Sequence, residues 1–200
     1  MAEVQRRIVV GMSGSSGAIF GIRLLEVMSG VPGLETHLVM SAAAAQTIAL
    51  ETDYKPRAVE HLATKVYKIG DIAASLSSGS FKTEGMIVLP CSMKTVAGIA
   101  YGYDENLLVR AATVTLKEQR RLIVCPRETP LHIGHLRALT QLAEIGAVVC
   151  PLMPAFYGRP QTIMDIVDHQ VGRLLDLIGV EMEGLAFRWK GAKGAGAQES

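Results

Sequence analysis

The chain has no long hydrophobic run and no excess of charge of either sign. A membrane-spanning helix needs about 18 to 20 consecutive apolar residues, and the longest apolar stretch, at 86–100, is interrupted by Pro90 and Lys94. A formal net charge of +1 creates no field that would attract a nucleic acid or an anionic membrane. The sequence therefore predicts neither a membrane protein nor a nucleic-acid-binding protein.

Cysteine is scarce, and the three cysteines Cys91, Cys125 and Cys150 match no metal-site spacing. An odd number argues against a disulfide framework, so we expect buried, reduced thiols. Cys91 has a second interpretation, because it opens a candidate ligand loop. His132 and His135 stand three apart at a helix start without a third ligand at a suggestive spacing, so no metal is expected.

Apolar residues are abundant, at 49%, and occur as short Val/Ile/Leu runs between helical patterns. Continuous apolar runs are typical of strands buried on both faces of a parallel sheet. The predicted strands are 7–12, 35–40, 85–90, 122–126 and 147–151. The predicted helices are 17–29, 42–51, 57–66, 95–100, 107–119, 133–145 and 163–178.

This alternation predicts an α/β fold, a doubly wound parallel sheet in one domain over residues 1–190, followed by a flexible tail at 191–200. The start, "MAEVQRR", leads into the first strand without an apolar signal segment, which predicts a cytoplasmic protein. Helices 42–49 and 95–100 have no polar face, so we expect subunit interfaces to bury them.

Hydroxyl-bearing and charged residues follow each predicted strand. Ligands bind at the carboxyl ends of parallel strands, where these segments meet. In chain order the segments are "SGSSG" at 13–17, Ser41, "CSMKT" at 91–95, "RETP" at 127–130 and "MPAFYGRPQT" at 153–162. The sequence therefore predicts a ligand site at this rim of the sheet.

The glycine-rich segment "GMSGSSG" at 11–17 favours a phosphate ligand, although a tight turn with a serine cap is the alternative. Its glycines do not have the G-x-G-x-x-G spacing of a dinucleotide site. Ser41 stands where such a site carries an acidic residue, and no triphosphate-binding signature is present. A monophosphate such as that of FMN fits best.

A second anion subsite is predicted if Lys117, Arg127 and Arg173 meet at the rim. Alternatively, Lys117 is a solvated helix residue and Arg173 the polar edge of an amphipathic helix. The pair Arg127–Glu128 is fixed between two prolines, which favours a functional role over a structural ion pair.

The sequence resembles the flavin prenyltransferase family, the UbiX-type proteins once named phenylacrylic acid decarboxylases. The resemblance runs over about 7–189, and the combination of PCS-x-x-T, PRE-x-P and a late FY-x-x-P is specific. It is carried by "GMSGSSGA", "ETD", "SSGSF", "MIVLPCSMKTVAGIAYG", "NLLVRAATVTLKEQRRLIVCPRETPLHIGHL" and "PAFYGRPQTIMDIVDHQVGRLLDLIG". Ile72 stands where ubiquinone-pathway members are expected to carry tryptophan. In this respect the sequence is more similar to the subgroup that accompanies hydroxyarylic acid decarboxylases.

The resemblance implies a flavodoxin-like (Rossmann-like) three-layer fold, a homo-oligomer that is commonly a dodecamer, and FMN at the subunit interface. It implies transfer of the dimethylallyl group of dimethylallyl phosphate to N5 and C6 of reduced FMN, without a metal. The prenylated FMN would be received by a UbiD-type decarboxylase.

The resemblance also assigns roles to individual residues. The catalytic residues would be Glu128, Glu51, Ser16 and Lys117, with Glu128 as the acid for the departing phosphate. Dimethylallyl phosphate would bind to Lys117, Arg127, Glu128, Tyr157 and Arg173. FMN would bind to Gly14, Ser15, Ser16, Ser41, Ser92, Met93, Lys94, Thr95 and Arg127.

Two other functions stay open. One is an FMN-dependent decarboxylase of the cysteine-decarboxylase group, which carries a Pro-x-Met-Asn motif and a histidine in the first helix; neither is evident here. The other is a non-catalytic flavin carrier or decarboxylase subunit, which would not require Glu128 or the pair Lys117 and Arg173.

Overall fold

The computed structural model describes residues 6–189 and residue 191, and these residues form one parallel sheet between two layers of helices. The strands are β1 Arg6–Met12, β2 Leu34–Met40, β3 Lys65–Tyr67, β4 Gly85–Cys91, β5 Arg121–Pro126 and β6 Val148–Val149. The helices are α1 Ala18–Ser29, α2 Ala42–Glu51, α3 Pro56–Glu60, α4 Met93–Ala100, α5 Leu107–Lys117, α6 Ile133–Glu144 and α7 Ile163–Ile178.

The strand order is β3-β2-β1-β4-β5-β6, the doubly wound order, and every pairing is parallel. Without the short edge strand β3, the remaining five strands have the flavodoxin order. The prediction of an α/β doubly wound parallel sheet is confirmed. The chain reverses its direction of winding between β1 and β4, so the loops after these two strands flank the crevice where such folds bind ligands.

Two apolar cores cover the two faces of the sheet. Ile8 and Val10 of β1 pack with Ile22 of α1 and Val171 of α7. Val9, from the same strand, belongs to the second core together with residues of α4 and α5. Adjacent residues of one strand thus enter opposite cores, which explains why the strands read as unbroken apolar runs.

Two predicted elements differ from the structure. The helix predicted at 57–66 ends at Glu60, and the chain then forms β3, because Lys65–Tyr67 pairs with β2. The strand predicted at 147–151 is reduced to Val148–Val149, although the Cys150 amide still donates to the carbonyl of Val124 at 2.8 Å.

The helix predicted at 95–100 packs inside its own chain rather than presenting an apolar face. Val96, Ile99 and Ala100 of α4 are buried in the second core. In contrast, α2 leaves Leu50 86% exposed. The predicted tail at 191–200 lies outside the described residues except for Gly191. None of the described helices is long and apolar enough to cross a membrane.

Candidate active site

Ser13 joins the two loops that flank the crevice. Its hydroxyl donates to the carbonyl of Pro90 at 3.1 Å and accepts the backbone N–H of Ser92 at 2.7 Å. The side chain is buried, so both bonds are shielded from water. The loop after β1 and the loop after β4 are therefore fixed to each other by a residue that the sequence analysis did not single out.

Gly14 allows the loop after β1 to pass directly over α2. A Cβ atom on Gly14 would lie 2.3 Å from the Cβ of Ala43, which is far inside van der Waals contact. Gly17 ends the same loop with φ at +101°, a left-handed conformation that glycine adopts without strain. Both glycines are thus needed for the path of the loop.

The hydroxyl of Ser15 is buried and has no hydrogen-bond partner among the described residues. Leaving such a group unpaired costs about 1–3 kcal/mol, so a ligand oxygen at this position would be stabilising. Nearby, Ser41 caps α2 by accepting the Ala44 N–H at 3.0 Å, and Ser92 caps α4 by accepting the Thr95 N–H at 3.4 Å. Because helix N-termini attract anions, these residues fit the phosphate of a mononucleotide such as FMN.

Glu51, the last residue of α2, caps the start of α1. Its carboxylate accepts the backbone N–H groups of Gly17 at 2.8 Å and Ala18 at 3.1 Å. Burial raises the pKa of Glu51, but the hydroxyl of Ser16, the two amides and the charge of Arg127 together lower it below its ordinary value. Glu51 is therefore ionised at neutral pH and is suited to accept a proton rather than to donate one.

Arg127 and Glu128 follow β5 on the same rim. The Arg127 amide donates to the Cys91 carbonyl at 3.2 Å, which connects this loop to the end of β4. Glu128 is exposed, and its carboxylate accepts the N–H of Thr129 at 3.0 Å. In the described structure the two side chains form no ion pair with each other. The alternative interpretation, a structural ion pair between Arg127 and Glu128, is therefore wrong.

In the segment after β4, the groups that can contact a ligand are mainly backbone and hydroxyl groups, because the longer side chains are engaged elsewhere. Met93 is buried in the second core. The exposed ammonium group of Lys94 forms an ion pair with Glu105 at 2.8 Å. Thr95 lies with its hydroxyl 3.1 Å from that of Ser92. Of this set, Ser92 and Thr95 have the position and chemistry to contact an anion at the N-terminus of α4.

Lys117 lies near the amino ends of the strands, whereas Arg127 lies at their carboxyl ends. It is the last residue of α5, which runs back from the rim, and four residues later Arg121 begins β5. Its ammonium group pairs with Glu118. Arg173 lies in the second half of α7 and pairs with Asp176 at 2.9 Å. The predicted cluster of Lys117, Arg127 and Arg173 is therefore not formed within one chain.

Tyr157 belongs to a second polar group, formed by the loop after β6, α7 and the segment that follows α7. Its hydroxyl lies 3.0 Å from Nε2 of His169, and its ring packs against those of Phe187 and Trp189 at centroid distances of 5.7 and 6.0 Å. Arg173 lies about one helical turn after His169 on α7, and burial, followed by the charge of Arg173, lowers the pKa of His169. The sequence analysis overlooked His169, because a lone histidine on a helix carries no signal in the sequence.

His132 and His135 form a helix cap rather than a metal site. Nδ1 of His132 accepts the N–H groups of Gly134 and His135 at 3.0 and 3.3 Å, and the two rings stack. In the described part of the chain, no three His, Cys, Asp or Glu side chains come together in a way that could hold a metal ion.

A parallel sheet with hydroxyl groups and helix N-termini at its switch point is the arrangement in which flavodoxin-like proteins bind a mononucleotide. The family model described as Flavoprotein matches residues 2–175. The chain belongs to this family and, within it, to the UbiX-type flavin prenyltransferases.

The similarity to proteins of this type covers nearly the whole chain. Flavin prenyltransferase UbiX of Escherichia coli K12 is 56% identical over 188 residues, which are 94% of this chain and 100% of that protein. The dodecameric FMN-dependent UbiX-like decarboxylase of Escherichia coli O157:H7 has a TM-score of 0.90 at 50% identity, covering 92% of this chain and 100% of the other. AnUbiX (PadA1), solved in complex with FMN and dimethylallyl pyrophosphate, has a TM-score of 0.90 at 49% identity, covering 94% and 98%.

Proposed function

We propose that the protein is a flavin prenyltransferase that joins the dimethylallyl group of dimethylallyl phosphate to N5 and C6 of reduced FMN. The observation that carries the proposal is the hydroxyl of Ser15, which has no hydrogen-bond partner within the described part of the chain and lies beside the N-termini of α2 and α4, in a chain 56% identical to a flavin prenyltransferase. Reduced FMN supplies the nucleophilic atoms. The prenylated FMN passes to a UbiD-type decarboxylase.

The loops after β1, β2 and β4 bind FMN in this proposal. Ser15, Ser41, Ser92 and Thr95 face the anionic part of FMN, and Gly14 lets the backbone approach closely. Met93 and Lys94 contribute through the backbone, because their side chains are engaged elsewhere. Ser16 contacts the flavin ring near N5.

The prenyl phosphate binds next to the flavin, among Arg127, Tyr157 and Arg173. Phosphate is a poor leaving group unless cations and hydrogen-bond donors already face its developing charge. Glu128 donates a proton to the departing phosphate, while N5 of the reduced flavin gives up its own proton to solvent. Ring closure to C6 consumes the prenyl double bond, which takes up one proton from solvent, and Glu51, which is held ionised, accepts the proton lost from C6.

The assembly is a homo-oligomer, as in the dodecameric relative. Apolar side chains that a single chain leaves exposed support this, among them Leu50, Phe156 and Ile163 at 86, 67 and 77%. Lys117 joins the phosphate subsite from a neighbouring copy, because its own chain places it near the amino ends of the strands, away from Arg127. Residues 1–190 act as one FMN-binding domain, and we place the protein in the cytoplasm.

The test is anaerobic incubation of the purified protein with reduced FMN and dimethylallyl phosphate, followed by mass analysis of the released flavin. The proposal expects a flavin heavier by one prenyl unit. The same incubation with oxidised FMN is the control and is expected to leave the flavin unmodified. A flavin that stays unmodified with reduced FMN would overturn the proposal and favour a flavin carrier.

A further inference from the structure

His169 contacts two different segments through its two ring nitrogens. Nε2 lies 3.0 Å from the hydroxyl oxygen of Tyr157, in the loop before α7. Nδ1 accepts the backbone N–H of Phe187 at 3.2 Å, in the segment after α7. The rings of Tyr157 and His169 meet edge to face, with centroids 5.3 Å apart and an interplanar angle of 84°.

The contact with Phe187 determines the position of the proton on the imidazole. A backbone N–H can only donate, so Nδ1 must carry a free electron pair. Burial, and then the charge of Arg173, lower the pKa of His169, so the ring is neutral at neutral pH and carries its single proton on Nε2. The Nε2–H group therefore donates to Tyr157, and the phenolic oxygen is the acceptor.

This assignment leaves the hydrogen of the Tyr157 hydroxyl available. In the described residues, the contact with His169 is the only hydrogen bond of that hydroxyl, and His169 uses the acceptor side of the oxygen. The phenolic O–H can donate only to another acceptor, and an anion is the strongest one. The side chain of Tyr157 is half exposed, so a ligand can reach it.

We propose that His169 is a positioning residue that fixes Tyr157 as a hydrogen-bond donor to the phosphate of the prenyl substrate. The backbone of Phe187 sets the tautomer of His169, and His169 in turn directs the Tyr157 hydroxyl. The segment after α7 is thereby coupled to the phosphate subsite through a chain of three groups. This inference rests on the proposed function, since it assumes that Tyr157 faces the phosphate.

The test is a double-mutant cycle on prenylated-flavin formation with dimethylallyl phosphate. Tyr157→Phe removes the donor, and His169→Phe keeps a ring but removes both nitrogens. Each variant is expected to lower kcat/KM by about 3- to 10-fold, which corresponds to one neutral hydrogen bond. The double variant is expected to be no worse than Tyr157→Phe alone, because His169 acts only through Tyr157. Retention of FMN, measured from its absorbance after gel filtration, is expected to be the same in all variants.

His169→Gln is the matched control. A glutamine amide has one acceptor and one donor group, so this variant is expected to recover most of the activity that His169→Phe loses. Losses that multiply in the double variant would show that His169 only supports the fold, and a glutamine variant as impaired as the phenylalanine variant would exclude the donor–acceptor chain. Either result overturns the inference while the parent protein still makes prenylated flavin. A parent protein without product instead overturns the proposed function.

Discussion

Glu128 is the residue at which a prenyltransferase and a flavin carrier differ most. Glu128→Gln keeps the shape of the side chain but removes the proton for the departing phosphate. General acid catalysis contributes roughly 10²- to 10⁴-fold, so the rate of prenylated-flavin formation is expected to fall by that factor. Single-turnover mass analysis of the flavin measures the rate, and FMN binding is expected to be unchanged.

The structure also limits what would explain a different result. If the glutamine variant reacted at the parent rate, Glu128 would be excluded as the acid. Glu51 cannot replace it, because the amides of Gly17 and Ala18 and the hydroxyl of Ser16 help to hold Glu51 ionised. The proton would then have to come from solvent or from the substrate itself.

Cys150 is the cysteine that we expect to react first with an alkylating reagent. A hydrogen bond from Cys125, a second from Gln170 and the charge of Arg173 outweigh partial burial and lower the pKa of the Cys150 thiol to about 7. The thiolate is the reactive form, so the rate of alkylation should rise with pH and be half-maximal near pH 7. Peptide mass mapping after iodoacetamide treatment over a pH series measures this.

The other two thiols provide the control for that experiment. Cys91 and Cys125 are buried, and burial raises the pKa of both. They are expected to stay unmodified while the protein is folded. Alkylation of Cys125 before Cys150 would contradict the assigned direction of the hydrogen bond between them.

Among the elements, strands buried on both faces could be predicted from the sequence, and short or exposed ones could not. β1, β4 and β5 contain continuous apolar runs. A helix with one buried face has apolar residues only at every third or fourth position, so these runs indicate strands. β3 has three residues, and Lys65 and Val66 are exposed, so no burial pattern marked it. Its pairing with β2 is a tertiary property.

The same distinction applies to the candidate site. Ser15 and Ser41 follow strands and were placed at the rim by the order of elements alone. Glu51 was proposed from family resemblance, but its contact with the start of α1 joins residues 34 positions apart in the chain. Lys117 could not be placed from the sequence. The direction in which α5 runs decides whether Lys117 lies at the carboxyl or the amino ends of the strands.

The link between the loops after β1 and β4 is testable through Ser13. Ser13→Ala removes the buried hydroxyl that accepts the Ser92 N–H, which costs about 1–3 kcal/mol in the free energy of unfolding. Urea unfolding measures the loss, and FMN should be retained less well. Ser29→Ala is the matched control: its hydroxyl donates to the Glu26 carbonyl at an exposed position, so a change of less than about 0.5 kcal/mol is expected. Equal losses in both variants would contradict the role of Ser13.

For the whole molecule, the separation of Lys117 from Arg127 predicts active sites shared between copies. Lys117→Ala and Glu128→Gln are each expected to be inactive alone. When the two variants are co-expressed, random assembly should leave about a quarter of the shared sites intact and restore activity to that extent. The rate of prenylated-flavin formation by the mixed oligomer measures this.

Co-expression of Arg127→Ala with Glu128→Gln is the matched control. These neighbouring residues enter the same site from the same chain, so no mixed oligomer contains an intact site and no recovery is expected. Equal inactivity of both mixtures would mean that Lys117 and Glu128 of one site come from the same chain. An active Lys117→Ala variant would mean that Lys117 has no catalytic role.

The bridge that Ser13 makes between Pro90 and Ser92 consists only of groups of the protein itself. Folding therefore orders the loops after β1 and β4 against each other, and little conformational entropy remains to be lost when a flavin binds. For the same reason the two loops keep their positions when the flavin leaves. This suits an enzyme whose product must leave intact for another protein. Turnover then depends on how strongly the prenylated and unprenylated flavins are held, not on refolding of the loops.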